Sequence, residues 1–395
     1  MKCRSCESSN IVEVLSLGNQ YLSDFVDPHD PKPPQYPLDL VLCKDCTLVQ
    51  LKETTPSEAL YTPRYGYRSG INSMMVKELH DIVESTAQKV QLFDGDMVVD
   101  IGANDGTLLS NYPGNMMRVG VEPITKLADL CLPHCNYVIN NFFHIDYFNQ
   151  AFPGKKAKII TAISMFYDLE NPNEFVDHLV QLLDENGILV IQQNYLVGML
   201  QQMAFDNICH EHIEYYTLTS LEKLLNRHGL EVIDVVMNDT NGGSFRVYVK
   251  HMSMLKKMRF MERKMNLGNE WTYYLYALKL KKNKDKLHEF VEGEVKKGKK
   301  VYVYGASTRG STLLQTCGLD KKLITAAVER NEEKWGKVYG GMGIPIISEE
   351  QARKEKPDYM LVMPWFFRSA IIEREQEYLK AGGHLVFPLP DFEVI

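Results

Sequence analysis

Residues Phe205–Leu218, FDNICHEHIEYYTL, place two histidines on either side of a glutamate, with Tyr215 and Tyr216 close behind. Residues of these types hold metals or move protons. On a helix His210 and His212 would diverge by about 200°. The HExxH spacing of zinc hydrolases is absent, because the second histidine follows Glu211 directly. Proton transfer suits the set better. A carbon beside a ketone becomes nucleophilic on losing a proton, and an imidazole that titrates near about 6.5 is a base matched to that task. A neighbouring carboxylate such as Glu211 can orient the ring and stabilise its charged form. A tyrosine hydroxyl can donate to the enolate oxygen. Tyr65 and Tyr67, in the glycine-flanked YGYRSG, and Tyr215 or Tyr216 are the candidate donors.

Four of the eight cysteines form two CxxC pairs, Cys3/Cys6 and Cys43/Cys46. Two residues between cysteines let both thiolates face one ion, and four thiolates make a closed tetrahedral zinc site with no position left for substrate. The expectation is a structural zinc.

The run VVDIGANDGTLL reads as a strand, a glycine-rich turn and a helix. Gly102 and Gly106 let backbone approach a ligand closely, and the turn aims N–H groups at it. The dinucleotide pattern GxGxxG is absent, since Asn104 stands at its second glycine. Asp100 precedes the turn, Asp105 lies inside it, and Glu122 of GVEP ends the next strand, where a carboxylate can accept from both ribose hydroxyls. This pairing is the pattern of class I methyltransferases and points to S-adenosylmethionine. Phe143 of NNFFH is placed to flank the adenine. Asn194, at the strand end in IQQNYL, occupies a position from which such folds present groups to the reacting methyl.

The elements that must position these residues alternate. MVVDI, RVGVEP, AKIITAISMF and ILVIQQNYL read as strands, MMVKELHDIVESTAQKV as a helix, and NPNEFVDHLVQLLDENG as a helix ended by Gly187. The fold class expected is α/β with a doubly wound sheet. A small zinc-binding module precedes it, and a second Rossmann-like unit begins near Lys300. The expected boundaries are 1–70 for the zinc-binding domain, 71–250 for the methyltransferase domain, 251–297 for a charged helical connector with a Met/Leu/Tyr core stripe, and 298–395 for the C-terminal domain. In that last domain YGASTRG sets Ser307 and Arg309 at a helix N-terminus suited to a diphosphate. Arg246 of NGGSFRV is either another diphosphate partner or a solvated arginine, and the glycines before it either approach substrate or form a plain hairpin.

Net charge is -7, with 44 Lys+Arg against 51 Asp+Glu, which disfavours nucleic acid as a partner. No apolar run approaches about 18 residues, and the N-terminus has no apolar core of a signal peptide. The expectation is a cytoplasmic protein with no membrane partner, and a monomer.

The ordered set CxxC…CxxC, DIGANDGTLL, GVEP, HEHIEYYTL, NGGSFRV and YGASTRGSTLL resembles the C-methyltransferases of nucleotide-linked deoxysugars along nearly the whole chain. The C-3 methyltransferase of dTDP-3-amino-4-keto sugars in tetronitrose formation is similar in plan. The resemblance implies methyl transfer to C-3 of a dTDP- or GDP-linked 4-keto-6-deoxyhexose. It implies His212 as general base with Glu211 beside it, and His210 and Tyr215 near the sugar. The family has a tyrosine before the first histidine where this chain has Cys209, which removes one phenol from the sugar site. The alternatives are an O- or N-methyltransferase of another small molecule, and a non-catalytic nucleotide-binding module.

Overall fold

Apolar residues recur every three to four positions along Ser73–Ala87 and bury Met75, Leu79, Ile82 and Val83 on one side. Met97–Ile101 is buried along its whole length. The first is a helix lying on a sheet, the second a strand covered on both faces. The computed structural model describes residues 1–23, 29, 32–60 and 67–395. They divide into two units, Met1–Met261 and Glu262–Ile395. Among the described residues no helix is long and apolar enough to cross a membrane.

In chain order the first unit contains β1 (Ile11–Tyr21), β2 (Gln35–Cys43), β3 (Val49–Leu51), α1 (Ser57–Leu60), α2 (Ser73–Ala87), β4 (Met97–Ile101), β5 (Met117–Val121), α3 (Thr125–Cys131), β6 (Tyr137–Ile139), α4 (Ile145–Ala151), β7 (Ala157–Ile163), α5 (Pro172–Leu182), β8 (Leu183–Asn194), α6 (Leu196–Gln202), β9 (Glu214–Tyr215), α7 (Leu218–Arg227), β10 (Leu230–Asn238) and β11 (Ser244–His251). Seven strands form one sheet in the order β10-β11-β8-β7-β4-β5-β6. β8, β7, β4, β5 and β6 are parallel, and the hairpin β10–β11 adds an antiparallel edge. The chain winds outward from β4 through β5 to β6, then returns to β7 on the other side of β4. The switch point between β4 and β7 opens a crevice at their C-terminal ends, where ligands of such sheets bind. A smaller sheet, β1-β2-β3-β9, joins the zinc module to the central domain, because β9 comes from the segment just after His212.

The second unit begins within α8 (Met254–Met265) and continues through α9 (Glu270–Lys296), β12 (Val301–Tyr304), α10 (Thr308–Thr316), β13 (Ala326–Glu329), β14 (Ile346–Ser348), α11 (Glu349–Glu355), β15 (Tyr359–Val362), α12 (Arg368–Arg374), α13 (Gln376–Lys380), β16 (His384–Phe387) and β17 (Glu393–Val394). Its sheet runs β14-β13-β12-β15-β16-β17, parallel except for β17.

Four local expectations are corrected. The glycine turn is not followed by an α-helix: only the 3-10 turn Leu109–Asn111 forms. Pro113 forces Tyr112 into an extended conformation (ψ 145°), so the stretch after Gly106 is too short for a helix. The helix expected to run to Gly187 stops at Leu182, and Asp184 turns the chain by accepting from the Asn186 amide at 2.9 Å. Within the two helices of the connector, α8 and α9, only Leu287 and Val291 are buried, where α9 joins the core of the second unit, while Met258, Met261, Trp271 and Tyr274 are exposed.

Arg246 is neither solvated nor free for a phosphate. It is 1% exposed on β11 and pairs with Glu78 (2.6 Å) and Asp81 (2.8 Å) of α2, while its Nε donates to Gln192 of β8 at 2.7 Å. NGG makes the plain hairpin, with Gly242 and Gly243 at φ 79° and 109°. Breaking a buried ion pair leaves its partner's charge uncompensated, whereas an exposed pair contributes little. We therefore predict that Glu78→Ala lowers stability by about 3 kcal/mol and Asp81→Asn by less than about 1 kcal/mol. Denaturant unfolding of the two variants checks this, and equal small losses would refute the buried-pair account.

Candidate active site and zinc centre

Cys3 and Cys6 sit in the N-terminal loop, Cys43 ends β2 and Cys46 lies in the turn that follows. The two knuckles are built alike. Glu7 and Thr47, each one residue past a second cysteine, take positive φ of 61° and 69°. Their amides donate to Cys3 O and Cys43 O, both at 2.9 Å. Cys3 and Cys46 Sγ lie 3.5 Å apart, as do Cys6 and Cys43 Sγ, and all four sulfurs fall within 4.8 Å of one another. Tetrahedral zinc thiolates at about 2.3 Å from the ion would stand about 3.8 Å apart, so the donor set fits the ion with small adjustment. Arg227 and Asn173 hold the Ser5 carbonyl between the first pair, which ties the module to the central domain.

A cavity of about 390 Å³ opens at the switch point, within the range of small-molecule sites. Asp100, Gly102, Asn104, Glu122, Phe143 and Tyr67 line it; Asp105 and Gly106 do not. Gly102 has φ 72°, and a Cβ there would stand 3.1 Å from Met165 Cγ, so the backbone is bare where it meets the cavity. Glu122 accepts from the amides of Asn104 and Ile124, each at 2.9 Å. Burial raises its pKa, and those two hydrogen bonds oppose the rise. Burial also pushes Asp100 up to about 7, against a hydrogen bond from Thr161. Phe143 packs edge-to-face on Phe175, with centroids 5.1 Å apart. A strand-end carboxylate, bare glycine backbone and an aromatic wall fit the ribose, amino-acid and adenine parts of S-adenosylmethionine.

Asp105 serves the turn itself. It accepts from the Gly70 amide (2.9 Å), Arg68 Nε (3.1 Å) and Thr107 Oγ1 (2.6 Å). Burial would raise its pKa, but these bonds hold it below the ordinary value. Gly106 faces α3, where a Cβ would come within 3.0 Å of Cys131 Cα.

The histidine segment is not helical; it runs from a loop into β9. His212 is half-buried, with Nδ1 3.0 Å from Asn207 O. Nδ1 therefore carries the proton, and Nε2 keeps its lone pair. Burial lowers its pKa, although the Asn207 contact and Glu211 act the other way. The carbonyl of Asn207, not Glu211, orients the ring. Glu211 lines the large cavity, while His212 lines a small adjoining pocket with Tyr167, Asn194, Glu214 and Tyr215. Three buried polar atoms of that pocket, Asn194 Oδ1, Glu214 Oε1 and Tyr215 Oη, have no hydrogen-bond partner among the described residues. Buried polar atoms are rarely left so, and the pocket, about 10 Å³, has room for one water-sized group that would satisfy them. Asn194 Nδ2 also donates to Asn207 Oδ1 at 2.6 Å, so Asn207 holds both His212 and Asn194. The Tyr167 ring meets the imidazole edge-on at 4.3 Å.

His210 is 1% exposed and bonded through Nε2 to Tyr36 O at 3.1 Å; it pins the segment to β2 and reaches neither cavity. Tyr65 lies outside the described residues. In the second unit Ser307 caps α10 by accepting from the Gly310 amide at 3.0 Å, and the Arg309 guanidinium stacks 4.7 Å above Phe366. The cavity of that unit, about 350 Å³, is lined instead by Gly305, Glu329, Arg330 and Arg374 among others. Sequence reasoning missed Tyr167 and Asn207. Tyr167 follows the end of β7, a strand-end signal that could have found it; Asn207 acts through its backbone, which leaves no signal in residue type.

Three family models match in succession: a zinc binding domain over residues 3–61, a methyltransferase domain over 71–235 and a C-methyltransferase C-terminal domain over 239–390. The C-methyltransferase NovU of Streptomyces niveus is 31% identical over 406 residues, covering 100% of this chain and 96% of that protein. Among solved structures, an S-adenosylmethionine-dependent methyltransferase from Clostridium acetobutylicum is 13% identical with a TM-score of 0.36, covering 45% of this chain and 92% of that one. Magnesium protoporphyrin IX methyltransferase of Synechocystis, with bound SAH, is 14% identical with a TM-score of 0.36, covering 48% and 91%.

Since a closed thiolate site contributes metal-binding energy to folding, Cys43→Ser should leave purified protein with less than one zinc in this centre and a lower melting temperature. Metal analysis and thermal unfolding read both, and unchanged melting with zinc removed would contradict a structural role.

Proposed function

The chain belongs to the C-methyltransferase family, and from that premise we propose that it methylates C-3 of a nucleotide-linked 4-keto-6-deoxyhexose, with His212 as the general base. The chain is an S-adenosylmethionine-dependent C-methyltransferase with a structural zinc, on full-length likeness to a C-methyltransferase and the four-thiolate centre. One observation supports the finer reading above the others. Beside the cofactor cavity, a neutral imidazole with a free Nε2 shares a pocket with three unpartnered polar atoms.

In this proposal the 4-keto group polarises the neighbouring C–H bond. His212 Nε2 takes the proton, and the electron pair of that bond becomes the enolate. Tyr215 and Tyr167 share the pocket with His212 and are the donors to the enolate oxygen in this reading, with Tyr67 lining the cofactor cavity. Asn194 Oδ1 accepts from a sugar hydroxyl or amine. Asn207 fixes the imidazole tautomer, and Glu211 favours the imidazolium once it forms. When bound, S-adenosylmethionine would supply an electrophilic methyl on a sulfonium to the carbanion. Glu122 would hold the ribose hydroxyls, Phe143 the adenine, and the backbone at Gly102 and the side chains of Asp100 and Asn104 the amino-acid end. Cys209, a thiol pushed up to about 12 chiefly by burial, stays neutral and replaces no phenol.

A base must be unprotonated, and burial places the His212 pKa below its ordinary value of 6.5. The acid limb of kcat/KM should therefore fall below about pH 6.5. His212→Asn should retain cofactor affinity and lose about 10²–10⁴-fold in methyl transfer. Mass gain on a panel of 4-keto nucleotide sugars measures the loss, and an active His212→Asn enzyme would remove the proposed base.

A further inference from the structure

One residue beyond Phe143, His144 caps α4 and meets two side chains of α5. Its ring lies 4.2 Å from that of His178, at 68°. One ligand atom each from His144, Glu174 and His178 falls within 4.8 Å of the other two. Glu174 and His178 are four apart on α5 and so share a face. The Glu174 carboxylate is already oriented, since Asn171 Nδ2 donates to its Oε2 at 3.0 Å. His144 Nδ1 lies 3.2 Å from the Asp146 amide and 3.4 Å from the Asp146 carboxylate.

We infer that His144, Glu174 and His178 form a second metal site, for a borderline divalent ion such as zinc, which clasps the Phe143 loop to α5. Two imidazoles and one carboxylate are the donor set such ions take while keeping a position open for water. Magnesium and calcium require oxygen ligands, which this set does not provide. In the structure His144 Nδ1 accepts from the Asp146 amide; ligation through Nε2 moves the ring proton to Nδ1, which gives up that cap and donates instead to the Asp146 carboxylate 3.4 Å away, the outer partner that ligating histidines usually have. All three ligands retain access to solvent, so an ion can enter without unfolding. The clasp bears on the cofactor cavity, because Phe143 and Phe175 both line it and His178 lies edge-on to Phe143 at 6.2 Å. This site is independent of the reaction proposed above, and it differs from the four-thiolate centre in having no sulfur ligand.

The test uses full-length protein with its four-thiolate centre filled. Titration with zinc chloride by calorimetry should show one further ion per chain. His178→Gln should abolish that step and leave the thiolate-bound zinc in place, and Asp146→Asn should weaken it by about 10–100-fold. Amide hydrogen exchange across residues 140–147 should slow when the second ion binds. Absence of a second equivalent, its persistence in His178→Gln, or unchanged exchange across the loop would each overturn the inference.

Discussion

The site depends on a backbone constraint: the peptide carrying Glu211 and His212 is hydrogen-bonded on both sides. Leu51 N donates to Ile213 O at 2.8 Å, and Ile213 N donates to Tyr167 O at 3.0 Å. β9 completes the sheet of the zinc module, with Tyr215 opposite Val49. The segment thus bridges a sheet fastened by four cysteines and the end of β7 in the large sheet. A loop of this composition would otherwise sample many conformations at an entropic cost on every turnover. The four-cysteine centre fastens the sheet whose edge strand, β9, comes just after His212.

Polar groups in this unit fall into two classes. Arg246, Asp105 and His210 are buried or half-buried and fully engaged, and they hold elements together: α2 to β11, the glycine turn to Arg68 and Gly70, the histidine segment to β2. Asn194 Oδ1, Tyr215 Oη and Glu214 Oε1 are buried and unengaged. A folded protein tolerates the second class where a ligand completes it. Tyr112 Oη, Arg118 Nε and both polar atoms of Gln193 are also buried and unengaged, so the pocket is marked by three such atoms lying together, not by their class.

The sequence made the frame legible and the contacts less so. Two CxxC pairs, a strand entering a glycine turn and a carboxylate at the next strand end are local patterns tied to backbone geometry. The zinc centre, the doubly wound sheet and the cavity at the switch point follow that frame. Helix ends were misjudged where a side chain or a distant proline decided them, as at Asp184 and Pro113. Arg246 looked like a surface cation because its partners, Glu78 and Asp81, are far away in sequence. The orientation of His212 by a carbonyl five residues earlier could not be read, since a backbone oxygen carries no residue signature. His210 and His212 look equivalent in the string; only the fold separates the pin from the candidate base.

The central claim is that the His212 imidazole removes a proton from carbon. The most direct measurement is solvent deuterium exchange into a 4-keto nucleotide sugar, with the demethylated cofactor bound so that no methyl can move. The account predicts deuterium at the carbon beside the ketone in the wild-type protein and none with His212→Asn. A protein that methylates the sugar yet shows no exchange at that carbon, with the methyl found on oxygen or nitrogen, would contradict it.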